Sequence, residues 1–383
     1  MGTVSQFQDK ARPPAHRIES EEEAISTARS LAAAFRHQAS ERDINRVLPF
    51  AELDTLSVSG LTAITVPPDY RGLDVSNALL AEIVAIIAEG DASIGETLEN
   101  HFCVLETLRT QGTEDLQASL FARVLLGDRF AGATFAEGAE LTPEGPGYRL
   151  RGRTRQAPGI LFADWIAAAA TAPPNRLLTL YLACNDEDLQ VVDDWDGFGQ
   201  RTNGAATAIG GSLHVNADAI APAPSSDTST GTSLGLLLKA AVSLGIARAA
   251  WSDVITAVGD RGTTLLARIG ECAIRIEATA AALERAGRKL DIAQVNPVEA
   301  AMADAHFSVS AAAILAGETA LDTANALFEL AGETSAGIGL NLDRHWRNAR
   351  IHALSLPRQK LMHAAGEYGA TPGKVRSGFP SGA

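Results

Sequence analysis

The sequence predicts a mainly α protein with a β insert, in three stretches: an N-terminal helical domain over 15–129, a middle β-barrel over 130–222 and a C-terminal four-helix bundle over 233–366. Three observations carry this. Apolar residues recur at helical spacing on both sides of the insert, the period shortens between Phe130 and Pro222, and a Pro/Ser/Thr-rich linker from Ala221 to Thr232 separates the last two stretches.

In the first stretch Leu79, Leu80, Ile83, Ile86 and Ile87 follow a cap at Ser76, and Ser20 with Glu23 makes a capping box. The segment V-P-P-D-Y-R-G at 66–72 breaks the helical pattern and reads as a loop. In the insert, Tyr148–Arg153 alternates, Phe162–Thr171 is a buried run, and Leu177–Cys184 precedes V-V-D-D-W. Short strands between turn residues predict a barrel or sandwich rather than a parallel sheet with crossover helices. Beyond the linker, helices are expected near 233–258, 264–291, 297–331 and 341–365. The third, at roughly 1.5 Å per residue, would be about 50 Å long and has to pack along its neighbours or another subunit, which predicts a homotetramer or homodimer.

With 383 residues, 46% of them hydrophobic, the chain can bury a large core. A formal charge of −14 argues against nucleic acid or an anionic membrane as the main partner. Cys103, Cys184 and Cys272 lie far apart without C-x-x-C spacing, which predicts neither a disulfide framework nor a zinc site and fits a reducing cytoplasm. No stretch of about twenty apolar residues lacks charges, so neither secretion nor membrane spanning is expected. His16, His214 and His306 have no Glu-x-x-His partner, and no bound metal is expected. No G-x-G-x-x-G or P-loop motif supports an internal nucleotide domain.

Particular segments sharpen the fold class: A-H-R-I at 15–18, I-T-V-P-P-D-Y-R-G at 64–72, E-N-H-F at 99–102, L-F-A-D-W at 161–165, D-D-W-D-G-F-G-Q-R at 193–201 and N-L-D-R-H-W-R-N-A-R-I-H at 341–352. Over 15–362 the chain resembles the acyl-CoA dehydrogenase superfamily, and within it the sulfur-acquisition oxidoreductases and the dibenzothiophene monooxygenase group. The resemblance implies FMN or FAD held between the β domain and the bundle, with a neighbouring subunit completing the pocket. It also implies a separate flavin reductase and a small-molecule substrate oxidised at sulfur or nitrogen.

On a helix, His345, Asn348 and His352 share one face, and Arg344, Arg347 and Arg350 form a stripe beside it. By resemblance His101 and His352 are the catalytic residues, their imidazoles pointing into one gap. The plainer readings are a core histidine at 101, beside Phe102, Val104 and Leu105, and ion pairs for the arginines. Expected cofactor contacts are Pro158, Trp195, Gly199, Arg201 and Thr207, together with Gly332 and Arg347; the glycine-rich turns among them also read as turns only.

The chain departs from the group in four places. R-Q-A-P-G at 155–159 has Gln156, Ala157 and Pro158 where relatives place an aromatic and hydroxyls, and Ala133 and Phe135 replace small polar residues. The loop between the first two bundle helices shrinks to G-D-R-G-T-T with only Arg261, and Ser355 stands where a second histidine is usual. These substitutions leave two alternatives open: an acyl-CoA dehydrogenase, which needs a glutamate base on the bundle, or a flavin-free descendant whose Phe135 and Gln156 fill the ring site.

Overall fold

The computed structural model describes residues 3–4, 12–136, 138–223, 229–259 and 265–370. Arg261, and with it most of the shortened loop, lies outside the described residues.

Five helices open the fold: α1 (Glu21–Asn45), α2 (Phe50–Val58), α3 (Asn77–Gly90), α4 (Ala92–Gln111) and α5 (Glu114–Leu125). Ser20 Oγ accepts the Glu23 N–H and Ser76 Oγ the Leu79 N–H, so both expected caps form. The Glu23 carboxylate reaches back to the Glu19 N–H rather than to Ser20. The 66–72 segment is a loop with one short turn at Pro68–Tyr70, as expected.

Among the described residues, nine strands make two sheets. One has the order β1 (Thr3–Val4), β7 (Leu189–Asp193), β8 (Thr207–Val215), β4 (Gly147–Arg153) and β3 (Glu140–Glu144). The other runs β2 (Phe130–Thr134), β5 (Trp165–Ala172), β6 (Arg176–Ala183) and β9 (Ile220–Pro222). Among the described strands only β2 with β5 is parallel. The sequence pattern did not call for β1, which adds antiparallel to β7.

The C-terminal helices are α6 (Thr230–Val258), α7 (Leu266–Val295), α8 (Glu299–Ala331), α9 (Asp343–Leu354) and α10 (Arg358–Ala370). The expected single helix over 341–365 is therefore two, because Pro357 has no N–H to donate and disfavours helical backbone at Leu356. α6 is the hub, packing on α3, α4, α7, α8 and α9. At Gly245 a Cβ would lie 2.5 Å from the Ala85 carbonyl, so only glycine lets α6 approach α3 this closely.

By length and composition α6 and α8 could each cross a bilayer. The apolar window of α6, however, is 83% buried inside the fold, and its Lys239 and Arg248 reach Glu99 and Glu82. That of α8 is 44% buried. Arg42, 4% exposed, ties the N-terminal helices together: it donates to Asp91 Oδ2 at 2.8 Å, to Glu52 Oε1 at 2.7 Å and to the Phe35 carbonyl. Asp91 is also the N-cap of α4, accepting the Ser93 and Ile94 N–H groups.

Candidate functional site

α4 runs between the sheets and the bundle, and its faces carry different chemistry. Toward the sheets, Asn100 accepts the Gly132 N–H and donates to the Gly132 and Pro158 carbonyls. His101 is 3% exposed; its Nδ1 accepts the Phe130 N–H at 3.0 Å, which requires Nε2 to donate to the Thr62 carbonyl at 2.9 Å. Burial, despite these bonds, pushes the imidazole down to about 4. His101 thus fastens α4 to β2 and to the loop after α2, with both nitrogens occupied by backbone.

That geometry has a pH signature. The folded-state value lies below the usual 6.5, so the unfolded chain gains a proton first and stability falls as pH drops from 6.5 toward 4. The loss attributable to His101 is about 3 kcal/mol. Denaturant unfolding at pH 7 and pH 4.5 should show a smaller difference in His101→Gln than in the parent chain.

On another face of α4, Glu96 and Glu99 meet α6 and α9. Lys239 Nζ contacts Glu99 Oε1 at 3.0 Å and donates to Ser355 Oγ at 3.1 Å. His352, 3% exposed, donates from Nε2 to the Lys239 carbonyl at 3.0 Å, while Nδ1 lies 3.4 Å from Glu96 Oε1. Asn203 donates to the other Glu96 oxygen at 2.8 Å. Burial would raise the Glu96 carboxyl, but the His352 contact outweighs it and holds the group below its ordinary value. Burial would likewise lower Lys239, and Glu99 and Glu96 outweigh it upward. Glu99 Oε2 is buried and has no hydrogen-bond partner.

The two histidines therefore do not point into one gap. Residue 101 is about 140° around the helix from 96 and about 200° from 99, at roughly 100° per residue, which puts the rings on different faces of α4. Sequence reasoning missed Glu96, Glu99 and Lys239. The signal was a single lysine inside the apolar run G-L-L-L-K-A-A-V, since a charge there has to find a partner.

The expected α9 face is present: His345, Asn348 and His352 are all buried. The arginine stripe is largely spent on ion pairs. Arg344 reaches Asp253 at 2.8 Å, and Arg347 reaches Asp43 at 2.6 Å and Asp343 at 2.7 Å. Gly199 serves packing: a Cβ there would lie 2.2 Å from the Arg347 carbonyl, so the space expected to admit a cofactor holds the α9 backbone. Gly199→Ala is expected to cost about 1–3 kcal/mol, read as a lower unfolding midpoint.

The other expected contacts fall into two groups. Thr207 donates to Asp194 at 2.7 Å next to Trp195, and the Pro158 carbonyl is taken by Asn100. Arg201 and Arg347 line a cavity of about 640 Å³ with Ile44, Phe198, Gly337 and Asn341, and Gly332 caps α8 nearby. Arg201 makes one hydrogen bond there, to the Ile44 carbonyl at 3.3 Å. Two buried donors in the same loop, Trp195 Nε1 and Gln200 Nε2, have no acceptor. Phe135 is 7% exposed with its ring edge beside Gly152 within the β region, and exposed Gln156 donates to the Asp194 carbonyl.

Two family models match this chain: "Acyl-CoA dehydrogenase, N-terminal domain" over 18–128 and "Acyl-CoA dehydrogenase, C-terminal domain" over 237–355. A probable FMNH2-dependent monooxygenase of Pseudomonas putida is 25% identical over 90% of this chain and 94% of its own length. Dibenzothiophene monooxygenase of Rhodococcus erythropolis is 23% identical over 93% and 94% respectively. The crystal structure of methanesulfinate monooxygenase from Pseudomonas fluorescens superimposes with a TM-score of 0.85 at 24% identity, covering 92% of this chain and 98% of that one. With both its helical ends matched by that family's models and the same fold throughout, the chain belongs to the acyl-CoA dehydrogenase superfamily.

Proposed function

We propose that the chain is a two-component monooxygenase that takes reduced FMN or FAD from a separate reductase and oxygenates a small sulfur- or nitrogen-containing molecule. The observation that carries this is an open cavity lined by Arg201 and Arg347, beside a loop that also holds two orphaned buried donors. A volume of about 640 Å³ is in the range of sites for molecules of this size. Trp195 Nε1 and Gln200 Nε2 lack acceptors of the kind a flavin offers, and Arg201 has guanidinium donors left for a phosphate. These residues fit a flavin. When bound, it supplies the electrons and carries the oxygen that is transferred.

The chain's own part is to hold protons and exclude water. His352 Nδ1 lies 3.4 Å from the Glu96 carboxylate, and Lys239 holds an ammonium beside Glu99. This buried group of two carboxylates, an ammonium and an imidazole at the α4–α6–α9 junction, with Glu96 lowered and Lys239 raised, supports placing the reacting end there. In this reading His352 acts as an element of the cluster, and His101 positions α4.

Division into helical, β and bundle domains at 15–129, 130–222 and 233–366 is part of the same proposal, as are a cytoplasmic location and a homodimer or homotetramer. Exposed Ile274, Ile292 and Val295 on α7 and the part-buried window of α8 support association with a second copy.

The test supplies reductase-generated FMNH2 under ¹⁸O2 with dibenzothiophene, methanesulfinate and benzylamine as probes. One labelled oxygen in an organic product is expected. Stoichiometric hydrogen peroxide with every probe, and no label in product, would sink the proposal.

A further inference from the structure

A second cavity, of about 450 Å³, opens between α3, α4, α6 and α7 and serves no role described above. One wall is apolar, with Leu80, Phe102, Leu105 and Leu234. The other carries the carboxylates of Asp74, Glu106 and Asp291, with Glu21 also lining the cavity. Among the described residues Arg109 is the one cation lining it, and it is already engaged by Asp74 at 2.9 Å and Glu106 at 3.4 Å.

The carboxylates are held in place. Asn77 donates from its backbone and its amide to Asp291 Oδ1, and again to Gln294 Oε1; Gln294 in turn donates to Glu106 Oε1. The hydrogen bonds of Asp291 and Asp74 use Oδ1 of each, leaving Oδ2 without a donor among the described residues. Thr65 Oγ1, a buried hydroxyl on the same cavity, has no partner either. Glu106 is 5% exposed, and burial raises both it and Asp74 although Arg109 pulls each the other way, so one guanidinium does not offset the burial of this wall.

The cavity and the ionic cluster share helix α4, which carries Glu106 in the one and Glu99 in the other. Glu99, Cys103 and Glu106 follow one another along one face of α4. Opposite them, α6 presents glycines: a Cβ at Gly235 would touch Cys103 Sγ at 3.7 Å, and one at Gly231 would touch Glu106 at 3.9 Å.

We propose that this cavity binds an organic cation, a primary or secondary ammonium on an aliphatic or aromatic body, and that this is the substrate class of the oxygenase. Its role as substrate rests on the oxygenase reading; the binding does not. An anion such as a sulfinate would meet three carboxylates and a cation already neutralised, so it is disfavoured.

Calorimetric titration of the flavin-free chain with benzylammonium, benzyl alcohol and benzoate tests the proposal. Benzylammonium is expected to bind about tenfold or more tighter than either analogue, as one charge-assisted hydrogen bond would give. Asp291→Asn, which keeps the acceptor for Asn77, and Glu106→Gln should each weaken it by about tenfold. Equal affinity for benzoate, no effect of Asp291→Asn, or no binding of any probe would overturn the proposal. Asp291→Asn decides the matter if Glu106→Gln does not fold. Benzylammonium binding without flavin binding would sink the oxygenase reading alone, and the reverse outcome would sink this one alone.

Discussion

Lys239→Met is expected to destabilise the chain by about 3 kcal/mol and to abolish oxygenation while flavin still binds. Breaking a buried pair from one side costs about 3–5 kcal/mol, because the remaining charge has no partner. The lower end applies, since the Lys239 side chain is 27% exposed and water can reach part of the space. Glu99, 7% exposed at its side chain, is the group left behind, with Oε2 already unpartnered. The Glu96 carboxylate, which Lys239 helps to hold below its ordinary value, then sits in a site one positive charge poorer. Denaturant unfolding gives the stability term, and ¹⁸O incorporation measured at saturating FMNH2 gives the second. Unchanged incorporation would place the reacting end elsewhere. The double variant Lys239→Met/Glu99→Leu should recover most of the stability and none of the turnover, because it removes the stranded charge without restoring the ammonium.

Arg42→Met carries the larger purely structural effect, about 3–5 kcal/mol. It removes the donors to Asp91, Glu52 and the Phe35 carbonyl at once, and strands Asp91, whose side chain is 6% exposed. Because Asp91 also caps α4, the expected secondary consequence is a looser start to the helix that presents Glu96, Glu99 and His101. Arg42→Lys should recover only part of the loss, since an ammonium cannot span three acceptors as a guanidinium does. A variant within 1 kcal/mol of the parent in urea unfolding would refute this account of the N-terminal helices.

Periodicity made the helical and β stretches legible because burial selects it directly: Ser20 and Ser76 cap where the spacing says, and α9 buries 345, 348 and 352 together. The site was legible only in part. Nothing local distinguishes a histidine whose nitrogens meet backbone, as at 101, from one beside carboxylates, as at 352, because the partners lie 29 to 256 residues away. Gly199 reads as a ligand-approach glycine or as a packing glycine equally well until Arg347 is placed against it. Lys239 could have been found, since an apolar helix seldom keeps an unpaired ammonium, whereas Glu96 and Glu99 sit in a helix that already carried polar residues on several faces. The break at Pro357 was visible as a residue and was overridden by the apolar pattern around it.

Equilibrium titration of FMN into the purified chain, followed by flavin fluorescence, bears most directly on the proposed activity. Saturable binding in the micromolar range or tighter is expected, corresponding to about −8 kcal/mol, and Arg201→Glu should weaken it by at least about tenfold. Fluorescence that stays that of free FMN up to roughly a hundred times that concentration, with the same result for FAD, would contradict a flavin enzyme and leave only the scaffold.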